Sequence, residues 1–203
     1  MKYLDFQNTF ANRVLIDLRE VKNIFPDFNP RRFYEWQKKG YLKKIANSFY
    51  IFANKNLNET EVCFIANKLV DPSYLSLEYA LSYYNLIPET VYLMTSVTTR
   101  KTKTIKTPIS DFQYQPLKEN LFFAYKIVEL DGISFKIAEP EKALLDFLYL
   151  RSDIKNANDL EELRINEDIF KETIDQEKIK KYLAVFKSPS LLSKIKKINK
   201  ILC

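Results

Sequence analysis

Apolar residues recur at helical spacing through the first forty residues, and two short apolar runs follow around Asn47-Ser48. The pattern predicts helices at about 3–10, 17–25 and 30–39 and strands at about 42–46 and 49–52. Asn29 offers the third helix an N-cap oxygen, Pro30 suits its first turn, and Gly40 suits its C-cap. Helix, helix, short turn, helix and hairpin is the element order of a winged helix-turn-helix.

A polar, Asn-rich segment at 53–58 ends this first module, so the chain divides into residues 1–52 and 59–203. Beyond the segment, helices are predicted at about 60–70, 76–86, 140–150, 158–163, 168–173, 176–186 and 190–202, and strands at about 91–99, 102–107, 109–115, 122–130 and 133–138. The predicted fold class is α+β, with an N-terminal winged helix-turn-helix, a mixed and largely antiparallel α/β domain, and a helical C-terminal region.

The last predicted helix carries a narrow apolar stripe made by Leu191, Ile195, Ile198 and Leu202. Lysines, among them Lys194, occupy the rest of its surface. We expect the stripe to dock on the second domain, and the alternative is a surface for a partner protein.

The third helix separates charge from apolar bulk. At 100° per residue, Phe33 and Trp36 fall roughly 200° and 140° from Arg31. The charged positions share the other arc: Arg31, Arg32, Glu35, Lys38 and Lys39. One face anchored in a core and one face of long basic donors is what a recognition helix in the major groove requires. The alternative is an ordinary amphipathic surface helix.

Charge supports the DNA-binding hypothesis for residues 1–52. The chain has 32 basic and 26 acidic residues, a net charge of +6. Ten basic and five acidic residues lie in 1–52, whereas residues 53–150 hold ten and twelve. A basic terminal module is typical of proteins that bind nucleic acid. The alternative is a lysine-rich surface that is only solvated, which would give the same excess of basic residues. The hairpin residues Lys43, Lys44, Asn47 and Ser48 would form the wing.

Composition excludes several classes of enzyme. Histidine is absent and glycine occurs only twice, so a histidine-based nucleophile system, a histidine zinc site and a glycine-loop nucleotide site cannot be built. No cofactor and no metal is expected. Cys63 and Cys203 are predicted to be reduced thiols of a cytoplasmic protein, and neither a signal peptide nor a membrane span is predicted.

Four segments together suggest a family: WQKKGYL at 36–42, PSYLSLEYALSYY at 72–84, TSVTTRKT at 95–102 and IAEPEKALLD at 137–146. In this order they resemble the AbiEi family of antitoxins, from bacterial abortive-infection toxin–antitoxin pairs that act in phage defence. Family members often carry Arg and Gly at the wing tip, whereas this chain has Ala46-Asn47-Ser48.

The resemblance implies a winged helix-turn-helix that represses its own operon by binding inverted repeats in duplex DNA. It also implies a second domain that opposes a nucleotidyltransferase-like toxin, in a type IV system where a direct complex of the two proteins is not required. A toxin-binding module without DNA affinity is the alternative within the same class.

A magnesium-dependent nuclease is the rival class, because carboxylates beside a lysine can hold the ion and activate water. The candidate residues are Glu78, Asp111, Glu139, Glu141, Lys142 and Asp146. The spacing of Glu139, Lys142 and Asp146 on one helix instead indicates a structural ion pair on its surface. We therefore expect the protein not to be an enzyme.

The run 98–106 alternates threonine with basic residues. It fits a two-stranded ribbon with one cationic face, which would give a second nucleic-acid contact through Arg100, Lys101, Lys103 and Lys106. The alternative is an edge strand whose lysines prevent aggregation.

Overall fold

The computed structural model describes residues 1–202, and residues 1–52 form three helices and a small sheet. In chain order the elements are α1 (Tyr3–Phe10), β1 (Ile16–Asp17), α2 (Leu18–Ile24), α3 (Arg31–Lys38), β2 (Leu42–Ala46) and β3 (Phe49–Phe52). The sheet is antiparallel with the order β1-β3-β2. The predicted helices and hairpin are present. Strand β1 was not predicted, because two residues are too few to show an alternating pattern.

Aromatic side chains fill the centre of this unit. Its buried cluster contains Phe6, Phe10, Ile16, Val21, Phe28, Phe33, Trp36, Leu42, Tyr50 and Phe52. The ring of Phe6 lies 4.7 Å from that of Trp36 and 5.4 Å, edge to face, from that of Phe33. Such pairs add about 0.5–1.5 kcal/mol each beyond the burial of their area. Helix α3 is therefore fixed to α1 through its two large aromatic residues.

The second unit is a six-stranded sheet with helices packed on it. Its elements are α4 (Glu59–Leu69), β4 (Ser73–Leu75), α5 (Leu77–Tyr83), β5 (Met94–Thr98), β6 (Lys103–Lys106), β7 (Asp111–Pro116), a 3₁₀ turn (Glu119–Leu121), β8 (Tyr125–Leu130), β9 (Ile133–Ala138), α6 (Pro140–Leu150), α7 (Ala157–Glu161), α8 (Glu167–Thr173), α9 (Gln176–Phe186) and α10 (Pro189–Leu202). The strand order is β6-β7-β5-β4-β9-β8. Pairs β5–β7 and β4–β9 are parallel and the other three are antiparallel, which confirms a mixed, largely antiparallel α+β fold.

Strand β4 lies in the middle of this sheet and was not predicted. Its three residues, Ser73 to Leu75, are all buried, so they show no alternation of polar and apolar positions. The strand pairs with β5 on one side and with β9 on the other. This central position brings segment 72–84 next to segment 137–146.

The two units share packing across the boundary at 53–58. Leu15, Ile45 and Ile51 belong to the first unit by sequence but lie in the large hydrophobic core of the second. Lys55 Nζ lies 2.9 Å from Glu61 Oε1 and donates to the carbonyl of Arg13 at 3.3 Å. The boundary segment thus connects two units that contact each other directly.

Helix α10 docks on the second unit, as predicted. Its stripe residues Leu191, Ile195, Ile198 and Leu202 are all buried. Lys194 was predicted on the solvent side, and this was wrong. Its Nζ donates to the carbonyls of Leu148 at 2.8 Å and Arg151 at 2.7 Å, so it satisfies carbonyl groups at the C-terminal end of α6.

Cys63 in α4 is a buried free thiol, in agreement with the prediction. Its Sγ lies 2.9 Å from the hydroxyl of Tyr79, and burial raises the pKa of the thiol to about 12. Cys203 lies outside the described residues.

Candidate nucleic-acid interface

Helix α3 presents the two faces that its sequence predicts. The N-cap residue of α3 is Pro30, one position later than predicted, and it makes no side-chain cap hydrogen bond. The side chain of Asn29 still accepts a hydrogen bond from the backbone N–H of Arg31 at 3.0 Å, just before the helix. Phe33 and Trp36 are buried in the aromatic core. The predicted contact residues Arg31, Arg32, Glu35, Lys38 and Lys39 are all exposed.

The basic side chains on this surface have no internal anion. Within residues 1–202, no side-chain hydrogen bond or ion pair engages Arg31, Arg32, Lys39, Lys43 or Lys44. Elsewhere in the same unit, Arg13 pairs with Glu20 at 2.7 Å and Arg19 pairs with Asp17 at 2.6 Å. The first unit therefore neutralises some of its arginines internally and leaves those around α3 available to a partner.

Tyr34 is a surface residue that sequence reasoning missed. It is 61% exposed, and the Nζ of Lys38 lies 4.7 Å from the centre of its ring. At 100° per residue Tyr34 falls roughly 60° from Arg31, just beyond the edge of the charged arc beside Lys38 and away from Phe33 and Trp36, so its exposure could be predicted from the same geometry. The exposed surface of α3 thus includes one large aromatic side chain.

The β2–β3 hairpin projects three of its four predicted residues into solvent. Lys43, Lys44 and Asn47 are exposed, and Asn47 takes a left-handed φ of 35° at the tip. Ser48 is only partly exposed, and its carbonyl accepts from the N–H of Leu18 at 2.9 Å. The hairpin tip is therefore tied to the start of α2.

The hairpin tip also lowers the pKa of Asp17, through Ser48. Burial alone would raise the pKa of this carboxyl, but hydrogen bonds from Arg19 and Ser48 outweigh burial and lower the pKa. Asp17 stays charged and keeps Arg19 in place. Of the predicted wing residues, Ser48 is the one that the structure uses internally.

The basic run 98–106 does not form one cationic face. Residues alternate between the faces of a strand, so Lys103 and Lys106 at the ends of β6 lie on opposite faces. Lys106 pairs in register with Asp111 of β7. The Nε of Arg100 donates to the carbonyl of Asp71 at 2.6 Å. The expectation that the basic residues of this run share one face is therefore wrong, because Lys106 lies on the face opposite Lys103.

The structure brings the wing tip and part of this run together. Asn47 and Ser48 line the same groove as Arg100, Lys101 and Lys103, and the groove has a volume of about 890 Å³. These two segments are separated by about fifty residues of sequence, so no local pattern shows that they meet.

The nuclease candidates Lys142 and Asp146 form a buried ion pair. Both side chains are fully buried, so the prediction of a surface ion pair on this helix was wrong. The hydroxyls of Tyr74 and Ser76 each donate to Asp146 Oδ2 at 3.0 Å. Lys142 Nζ also lies within 5.5 Å of the rings of Tyr74, Phe123 and Phe186.

Burial shifts the pKa values of this pair in opposite directions. It lowers the pKa of Lys142 and raises that of Asp146, and the attraction between the two charges opposes both shifts. Burial and the neighbouring Asp146 also raise the pKa of Tyr74. A fully buried, internally hydrogen-bonded pair has no open face for a substrate, so it acts as a connection between β4 and α6.

The other candidate carboxylates lie apart from one another. Glu78 Oε1 is 3.4 Å from Arg151, Glu139 Oε2 is 2.9 Å from Lys178, and Glu141 accepts from the N–H of Asp175 at 3.0 Å. Asp111 is exposed at the start of β7. Over the described part of the chain, no three acidic or cysteine side chains form a group that could hold a metal ion.

No model of a known protein family matches the chain, and no curated protein matches it either. The resemblance to AbiEi antitoxins therefore depends on the four sequence segments alone. None of the helices within residues 1–202 combines the length and the apolar character needed to cross a lipid bilayer.

Proposed function

We propose that the protein binds duplex DNA through residues 1–52, which act as a winged helix-turn-helix. Helix α3 would enter the major groove, and the β2–β3 hairpin would be the wing. The observation that carries this proposal is the set of exposed basic side chains on α3 that have no ion-pair partner within residues 1–202. Arg31 lies opposite the buried Phe33 and Trp36, and Arg32 lies at the edge of that buried face.

The chemistry of these side chains fits DNA. One arginine side chain can donate two hydrogen bonds to a guanine, one to O6 and one to N7. Both arginine and lysine also contact phosphates. Each phosphate that is neutralised releases counterions, which favours binding at low salt. The aromatic core holds α3 rigidly, so these donors reach the groove in a fixed orientation.

The resemblance of the four sequence segments to AbiEi antitoxins suggests a role in the cell. We propose a non-enzymatic, cytoplasmic autorepressor that binds inverted repeats and also opposes a nucleotidyltransferase-like toxin. The arrangement of the chain supports two separate roles. The unpaired basic face lies in the first unit, whereas segments 72–84 and 137–146 meet inside the second unit at the Lys142–Asp146 pair.

The deciding experiment uses the full chain with Arg31→Ala and Arg32→Ala. Each well-placed arginine contributes about 1–3 kcal/mol of discrimination, so operator affinity should fall at least about 30-fold. Both side chains are exposed, so the melting temperature should not change. Fluorescence anisotropy with the DNA upstream of the gene measures the affinity.

The matched control removes two exposed lysines from α9, with Lys180→Ala and Lys181→Ala, and it should bind the operator like the parent chain. If both variants lose the same amount of operator affinity, the binding is a non-specific attraction between charges. Unchanged binding by the arginine variant would refute the assignment of α3.

The same arginine variant tests the division of roles. In cells that express the toxin, it should still protect growth while a reporter fused to the operon becomes derepressed. Loss of protection together with loss of repression would show that antitoxin action depends on DNA binding.

A further inference from the structure

The groove beside the wing tip belongs to both units. The β2–β3 hairpin forms one side through Asn47 and Ser48, and the segment leading into β6 forms the other. Its charged lining residues are Arg19, Lys68, Asp71, Arg100, Lys101 and Lys103. Five of the six are basic, so the groove carries a concentrated positive field.

Internal contacts already use several of these groups. Arg19 is paired with Asp17, and Arg100 is bonded to the carbonyl of Asp71. The Nζ of Lys68 lies 5.4 Å from the ring of Phe64. The side chains of Lys101 and Lys103 are exposed and have no hydrogen-bond or ion-pair partner within residues 1–202. The groove therefore has two ammonium groups free to bind an anion.

The position of the groove indicates which anion. In the proposed DNA complex the wing tip lies against the sugar-phosphate backbone, and the groove begins at that tip. We propose that Lys101 and Lys103 bind phosphates of the same duplex, next to the segment held by α3 and the wing. This inference rests on the proposed function, and it makes the second unit part of the DNA interface.

The same strand provides a matched control. Lys106 has the same charge and lies three residues beyond Lys103, but it is on the opposite face of β6, opposite Asp111, and does not line the groove. Lys118 is another exposed lysine outside the groove. A Lys106→Ala/Lys118→Ala variant therefore removes the same charge as Lys101→Ala/Lys103→Ala without changing the groove.

The experiment measures the affinity of the full chain for a long duplex as a function of salt. Loss of two phosphate contacts should reduce the slope of log affinity against log salt by about 1.8. A fourfold rise in salt should then weaken the groove variant about tenfold less than it weakens the parent chain. The control variant should keep the parent slope, and thermal unfolding should show that both variants are folded.

The outcomes separate this inference from the proposed function. If the Lys101→Ala/Lys103→Ala variant has the same salt slope as the parent chain, the groove inference is overturned. The proposed DNA binding through Arg31 and Arg32 would not be affected by that result. A parent chain that fails to bind duplex DNA would overturn both proposals. Binding of the parent chain and of the Lys101→Ala/Lys103→Ala variant to a single-stranded RNA is measured in parallel. If this variant binds duplex DNA like the parent chain but no longer binds the RNA, the inference is refuted, because the groove then binds RNA and not the duplex.

Discussion

The cores of the two units differ in chemistry. The side chains buried in residues 1–52 are all hydrophobic, and aromatic rings contribute most of the central cluster. The second unit also buries polar and charged side chains: Glu61, Ser73, Ser76, Thr95, Ser96, Thr98, Glu141, Lys142, Asp146 and Lys194. Two lysines of the second unit, Lys142 and Lys194, are thus buried, whereas every lysine of the first unit is exposed. A lysine count alone therefore overstates the charge that the second unit offers to a partner.

The strongest test of this difference is Asp146→Ala, which leaves the Lys142 amine buried without its carboxylate partner. Breaking a buried ion pair in this way costs about 3–5 kcal/mol, and urea unfolding measures the loss. A Lys142→Met/Asp146→Leu variant should lose less, because no unpaired charge remains. Stability within 1 kcal/mol of the parent for Asp146→Ala would show that water reaches the lysine.

Trp36→Ala tests the aromatic core of the first unit. Emptying the site of a buried aromatic side chain should cost about 3–5 kcal/mol, measured by circular dichroism during urea unfolding. Tyr34→Ala on the same helix is the control, and it should change stability by less than about 0.5 kcal/mol because Tyr34 is exposed. Full stability combined with lost DNA binding would place Trp36 on the DNA.

Glu139→Gln tests a weaker polar contact on the surface of the second unit. Burial would raise the pKa of Glu139, but hydrogen bonds from Lys178 and Tyr182 outweigh it and lower the pKa. The charged form therefore stabilises the fold above pH 4.5, the ordinary value, and this contribution disappears as the pH falls through the lowered pKa.

The expected loss in Glu139→Gln is about 0.2–1 kcal/mol at pH 7, and it should shrink towards zero at pH 3. Urea unfolding at pH 7, 5, 4 and 3 checks this. Glu177→Gln is the control, and because its pair with Lys180 is exposed it should change stability little at pH 7. A loss in Glu139→Gln that stays constant over this range would assign the effect to packing.

Local patterns in the sequence predicted the three helices and the hairpin of the first unit because each signal for them is local. The two arcs of α3, the turn of Asn29 and Pro30 before it and the turn at Gly40 all depend on neighbours within one or two helical turns. Burial in the structure agrees with the two arcs at every position that was assigned.

The features that were missed depend on distant contacts. Lys142 and Asp146 show the spacing of a surface pair, and only the packing of β4 and α9 against α6 buries them. The groove joins residues 47–48 to residues 100–103, and strand β4 is too short to show a period. Sequence patterns report which residues share an element face, but not which elements cover that face.

The contact of Leu15, Ile45 and Ile51 with the large core has a consequence for binding. A recognition module on a flexible tether loses orientational entropy each time it binds its target. Here that entropy is lost once, during folding, because apolar contacts hold the hairpin against the second unit. The angle between α3 and the β5–β6 segment is then fixed within one chain. In the proposed DNA complex, the length of duplex that one chain covers would therefore be set before binding.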